Sequence, residues 1–143
     1  MRARTEEYAI VARAIITIGD RLLVCRGSRN GRPEHFFHLP GGHVEAGELP
    51  VDALIRELRE EMGRDVMDVK PVDVFENVYD KGDVTVRETN HVFKVKLFPA
   101  LIEQPARSAE THLTFEWIPL AETERARVMP PYLATLAKVW GGT

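Results

Sequence analysis

The chain has 143 residues, 44% of them hydrophobic, which is enough to bury one core but not two, so a single domain over 1–143 is expected. A formal net charge of −3 argues against a general nucleic-acid binder, whose sequence-independent phosphate affinity needs a basic surface. The lone cysteine, Cys25, excludes a disulfide framework and a cysteine-based zinc motif.

Met1 to Glu7 carries charges of both signs, and the apolar stretch that follows is interrupted by Arg13. Neither a signal peptide nor a membrane span is expected, and the reading is a soluble cytoplasmic protein. Tyr8 to Ile18 is rich in Val and Ile, stops at the turn pair Gly19-Asp20, and leads into Arg21 to Cys25, predicting two strands in a hairpin. Cys25, inside the apolar run from Leu22, reads as a buried, reduced thiol. Arg26 to Glu34, with its glycines, proline and arginines Arg26, Arg29 and Arg32, predicts a loop, and Phe36 to Leu39 a short apolar return before Pro40-Gly41-Gly42. Val51, Leu54, Ile55, Leu58 and Met62 then follow helical spacing, with Pro50 in the first turn and Gly63 as the stop. Val66 to Val78 and Val84 to Leu97 predict strands around the turn Asp80-Lys81-Gly82-Asp83, Phe115 to Pro119 a further strand, and Pro130-Pro131 the start of a terminal helix reaching about Trp140. Strands mixed with two separated helices imply an α/β domain.

On the first helix, Glu57, Glu60 and Glu61 share an arc of roughly 100° beside the apolar face. One column, Asp52-Arg56-Glu60, has the spacing of a solvated ion-pair ladder. The neighbouring column, Ala53-Glu57-Glu61-Asp65, supplies no cation of its own, so its glutamates should repel unless something neutralises them. A divalent cation does so naturally, because magnesium prefers oxygen ligands and shares them with substrate phosphates, and Ala53 would leave it room.

Read from Gly42, the chain places Glu48 after five residues and, after seven more, Arg56-Glu57-Leu58-Arg59-Glu60-Glu61-Met62-Gly63. This resembles the Nudix box, G-x5-E-x7-R-E-U-x-E-E-x-G-U, where U is bulky and apolar. All seven fixed residues agree, a coincidence of order 10⁻⁸ per starting point at roughly 7% per position. Leu39-Pro40-Gly41 before the box and Glu116-Trp117-Ile118-Pro119 near the end look like the family too. Arg64 departs from the final apolar position, which puts the packing after the helix in question, with Val66 the residue to take its place.

The resemblance implies an α/β/α sandwich with a mixed sheet and a metal-dependent hydrolase of a nucleoside diphosphate linked to another group: a nucleotide, a nucleotide sugar, ADP-ribose or a dinucleoside polyphosphate. It implies Mg2+, with Mn2+ as a substitute, held by Glu57, Glu60, Glu61 and the backbone carbonyl of Gly42, and a Glu48–Arg56 pair that supports the geometry. Metals suit this chemistry, since they lower the pKa of bound water and clamp phosphate oxygens. Glu60, Glu61 and Arg56 thus join the catalytic candidates. The general base is open between the helix, Glu110 in the polar stretch Gln104 to His112, and Glu88, for which a cross-strand ion pair is an equal alternative. His35, His38, His43, His91 and His112 lack zinc-like spacing. Phe36 and Phe37 are expected to pack rather than stack on a base, the loop arginines to be solvated, and Trp117 and Trp140 to anchor the core. A silent nucleotide sensor is the alternative function, although no box acid is eroded; an isoprenoid diphosphate isomerase ranks lower, with Cys25 in a strand before the box. A small-molecule partner is expected, with no membrane and with homodimerisation open through the Tyr8 to Ile18 strand.

Overall fold

Apolar residues run consecutively, rather than alternating, at Ile15-Ile16, Leu22-Leu23, Val24-Cys25 and Val92-Phe93. In each pair one side chain enters one core cluster and its neighbour the other, the pattern of strands buried on both faces. A computed structural model describes residues 4–29, 32–33, 37–63, 65–98, 113–123 and 125–129.

The strands form two sheets. The first has four: β6 (Gly41–His43), β1 (Thr5–Ile15), β8 (Val84–Leu97) and β7 (Val66–Lys81), in that order. It is mixed, since β1 runs parallel to β8 along its whole length, while β6 and β7 are antiparallel to their neighbours. The β7–β8 hairpin closes with Lys81 opposite Val84 around Gly82, whose φ of 60° a residue with a side chain disfavours. The second sheet is built on β3 (Arg21–Arg29), which pairs with β9 (Leu113–Pro119), β2 (Thr17–Ile18) and the short β4 (Arg32–Pro33) and β5 (Phe37–His38); β10 (Val128–Met129) pairs in turn with β5, and a 3-10 turn lies at Leu120–Glu122.

The expected hairpin exists only in part. The run from Tyr8 divides at Ile16: β1 belongs to the first sheet, and only β2 pairs with β3, Thr17 facing Leu22 and Ile18 facing Arg21. The Ile16 carbonyl accepts the Leu23 N–H at 2.9 Å, holding the chain where it passes between the layers. The loop expected from Arg26 is also shorter, because β3 continues to Arg29 and pairs with β9 as far as Gly27. The terminal helix expected at Pro130 to Trp140, like Arg64, lies outside the described residues.

Helix α1 (Pro50–Met62) lies as expected, opening with Pro50 at its first position and closing at Gly63 in the left-handed conformation, whose N–H reaches the Arg59 carbonyl at 2.8 Å. Ala53, Leu54, Leu58 and Met62 pack with Ala12, Ala14, Phe93, Val95 and Leu97 in the first cluster. Val66 joins that cluster from its margin, and so does Trp117. Cys25 is buried there as a reduced thiol. No helix among the described residues is long and apolar enough to cross a membrane.

Candidate active site

Two elements build the site: strand β6 with the turn after it, and the helix that the turn leads into. Gly41 is antiparallel to Arg13 and Gly42 to Ala12, and a side chain at Gly41 would overlap the Ala12 carbonyl oxygen, so the chain crosses β1 here only as glycine. At Gly42 the obstacle is the helix. A Cβ there would meet Cδ of Glu57 at 2.5 Å and both its carboxylate oxygens at 2.7 Å. The absent side chain is the space the Glu57 carboxylate fills, directly over the glycine backbone.

Arg56 ties the turn to the helix. Its Nε and Nη2 donate to the two oxygens of Glu48 at 2.8 and 3.0 Å, a bidentate pair, and Nη2 also donates to the His43 carbonyl at 3.1 Å. Nη1 donates to Glu57 at 3.0 Å and to Glu60 at 3.3 Å. Glu48 further accepts the Glu45 N–H at 3.0 Å. The Arg56 guanidinium and that backbone N–H hold the Glu48 carboxyl down at about 2, against an ordinary 4.5, and Glu48 in turn raises Arg56. Glu61 is buried beneath the glycine strand, 6% exposed, and accepts the Gly41 N–H at 3.4 Å.

One expectation about the helix is corrected and another is filled in. Ala53 leaves no room for an ion: it is wholly buried in the first cluster, because its column turns toward the sheet. That column has no cation of its own, as expected, but its acids are partly met from neighbouring columns. Arg56 reaches sideways to Glu57, and Arg59 pairs with Asp65 at 3.2 Å, contacts that a column-by-column count overlooks because arginine spans adjacent columns.

The donor chemistry of Glu57, Glu60, Glu61 and the Gly42 carbonyl is oxygen only, which fits a hard divalent ion, and the glycine cradle keeps one carboxylate against the backbone. Among the described residues no three acidic, histidine or cysteine side chains are gathered into a ready-made metal cage. An ion here would take part of its shell from water or phosphate, as magnesium commonly does.

The remaining candidates lie apart from this cluster or beyond description. Glu88 sits on β8 opposite Asn77 on β7 and Ala9 on β1; burial and the Glu88 carboxylate together push the Tyr79 hydroxyl upward. Glu110, His35, His112, Phe36 and Trp140 are outside the described residues. His43 is exposed, while His38 and His91 are half-buried. Phe37 packs in the second cluster as expected, but Arg26 is not simply solvated: its guanidinium stacks 4.1 Å above the Phe37 ring. Sequence reading also gave Arg13 no role, yet its Nη1 donates to the Leu39 carbonyl at 3.2 Å and anchors the strand entering the glycine pair. A charged residue inside an apolar run was the available signal.

The chain matches the family model for the NUDIX domain over residues 7–138. It is 33% identical over 138 residues to the protein named "Putative 8-oxo-dGTP diphosphatase 2" of Mycobacterium tuberculosis, an alignment covering 94% of this chain and 91% of that one. In fold it is similar to the MutT NUDIX hydrolase from Burkholderia pseudomallei, with a TM-score of 0.71 at 19% identity over 92% of this chain and 98% of that one. It is similar also to a NUDIX hydrolase from Nitrosomonas europaea, with a TM-score of 0.66 at 20% identity over 93% and 87%. Nudix hydrolases generally use divalent metal ions. With its seven box residues intact on the predicted helix and turn, the chain belongs to the Nudix family and is a Nudix-type pyrophosphohydrolase.

Proposed function

We propose that this chain, acting as one domain in the cytoplasm, removes oxidised purine nucleoside triphosphates by splitting their diphosphate linkage with Mg2+, for which Mn2+ substitutes. The observation that carries the reading is the Arg56 hub, which binds Glu48, Glu57 and Glu60 together against Gly42, in a chain whose mycobacterial relative is named for 8-oxo-dGTP.

In this reading Glu57, Glu60, Glu61 and the Gly42 carbonyl hold the metal. When bound, the ion supplies an acidified water and neutralises charge on the phosphate oxygens. Arg56 and Glu48 are positioning residues: their bidentate pair fixes the turn, and Nη1 of Arg56 fixes where the Glu57 and Glu60 carboxylates stand. A carboxylate then accepts the proton of the attacking water as the phosphoric anhydride P–O bond breaks, a role assigned first to Glu110, with Glu88 and the helix glutamates as alternatives. The anionic substrate needs such local help, because the net charge of −3 offers no general attraction.

The test is product release from 8-oxo-dGTP, dGTP, ADP-ribose, a sugar nucleotide and a dinucleoside polyphosphate, each with magnesium, manganese or chelator. Metal-dependent cleavage led by 8-oxo-dGTP is the expected result. Preference for ADP-ribose or a dinucleoside polyphosphate would replace the substrate assignment, and tight nucleotide binding without cleavage would favour a sensor.

A further inference from the structure

Strand β7 is the outermost of the first sheet, and among the described residues no strand pairs with its outer edge. An open edge is a template for another chain, and proteins that must avoid pairing blunt it with proline, lysine or bulges. β7 is blunted over one half only. Val66 to Val72 holds Lys70, Pro71 and the first register shift, and the second falls between Pro71 and Asp73. From Asp73 to Lys81 the pairing with β8 is unbroken, and no proline or glycine interrupts it before the turn at Gly82. This open half exposes Val74 by 56%, Val78 by 46% and Tyr79 by 39%, residue types that favour strand pairing.

The open half is also complementary to itself. Its midpoint is Asn77, so a second copy laid antiparallel beside it, about a two-fold axis normal to the sheet there, pairs every residue from Asp73 to Lys81. Asp73 then faces the partner's Lys81, Phe75 faces the partner's Tyr79, and Asn77 faces its own copy. Opposite charges and aromatic rings directly across a strand pair are favourable, and a side-chain amide carries both the donor and the acceptor that a self-pair needs. Moving the axis by one residue sets Glu76 against itself or against Asp80, and moving it further leaves part of the regular stretch unpaired. Glu76 and Asp80 keep charge partners in their own chain, Arg87 at 3.1 Å and Arg4 at 3.3 Å. The Asp73 carboxylate accepts the neighbouring Val74 N–H at 2.8 Å, which satisfies a backbone donor without neutralising the acid.

We propose that Asp73 to Lys81 is an interface with a second copy of this chain, joining two four-stranded sheets into one about a two-fold axis at Asn77. Backbone hydrogen bonds supply the affinity and the side-chain pairs the register. The substrate assignment plays no part in it.

The experiment is sedimentation equilibrium of the full chain over a concentration series, with the wild type beside Lys81→Glu and the double variant Asp73→Lys with Lys81→Glu. The wild type is expected to dimerise. Lys81→Glu sets like charges opposite each other at both symmetric ends and should weaken the dimer at least ~10-fold, a loss that shrinks in ~1 M salt. The double variant, with the charges exchanged, should return to within ~3-fold of the wild type. A wild type that remains a single chain up to ~0.1 mM overturns the inference, since a specific interface is populated well below that concentration. A dimer that Lys81→Glu leaves unchanged, or a loss that the double variant does not reverse, overturns it too. Cysteine cross-linking reads the axis independently of charge: opposed residues stand about 4.5–5.5 Å apart, within disulfide reach. Asn77→Cys is expected to give a covalent dimer on mild oxidation, whereas Val74→Cys, which faces the partner's Asp80, is not; Cys25 is buried and takes no part. Linking through Val74→Cys and not Asn77→Cys would sink the proposal.

Discussion

Glutamate is spent in this site in three different environments, and each sets a different expectation. Glu61 is buried against the glycine strand, Glu57 is wedged over Gly42, and Glu60 is half exposed at the end of the Arg56 fork. Glu61→Gln keeps the size and the capacity to accept the Gly41 N–H but removes the charge, so turnover is expected to fall by about 10²-fold or more with the melting temperature little changed, as measured by steady-state kinetics beside thermal unfolding. Near wild-type turnover would remove Glu61 from the metal set. Glu48 makes a statement about pH. Its carboxyl is held at about 2 in the fold against 4.5 ordinarily, so its stabilising contribution is fully present above 4.5 and is lost as pH falls from there through about 2. The gap in melting temperature between wild type and Glu48→Gln should therefore be constant near neutral pH and close across that acid window. A gap that widens on acidification would contradict the sign.

At the level of elements, the decisive unit is the short strand β6 joined to α1. Its three residues carry little pairing of their own, and their position comes from three ties: Ala14 N–H to the Pro40 carbonyl at 2.8 Å, Val44 N–H to Ile10 at 2.8 Å, and Arg13 to Leu39. Gly41→Ala adds a Cβ against the Ala12 carbonyl at a φ of 139°, combining overpacking with backbone strain at about 1–3 kcal/mol each. The outcome expected from denaturant titration is a loss of about 2–6 kcal/mol, with activity lost too because the Glu57 cradle shifts. Tolerance of alanine would mean that β6 is not held where it lies. The helix itself was legible beforehand: its apolar spacing, Pro50 and Gly63 are local signals that the observed bounds match. Strand β1 was not legible as drawn, since nothing local marks Ile16 as the residue where the chain leaves one sheet for the other; only pairing with β8, more than seventy residues away, decides it.

For the whole molecule, the first cluster couples the site to stability. Leu58, wholly buried, sits between Glu57 and the rest of the box and packs with strands from both sheets. Leu58→Ala is expected to cost about 2–5 kcal/mol in chemical unfolding while leaving kcat within a few-fold in the folded fraction, because the Arg56 fork lies on the other side of the helix. A loss under ~1 kcal/mol would show that this core collapses readily around the gap. The sequence by itself determined the family, the helix and which acids share its arc, because helical periodicity, caps and a fixed-spacing motif are written in residues a few positions apart. The tertiary structure alone decided that Gly42 makes room for Glu57, that Arg56 gathers Glu48 with two helix acids, that Ala53 faces the core, and that Asn90 is buried with an unpaired oxygen. Those facts depend on contacts between segments that meet only after the sheets form, and both the direction of a side chain and the partners of a charge are set by that meeting rather than by neighbours in the chain.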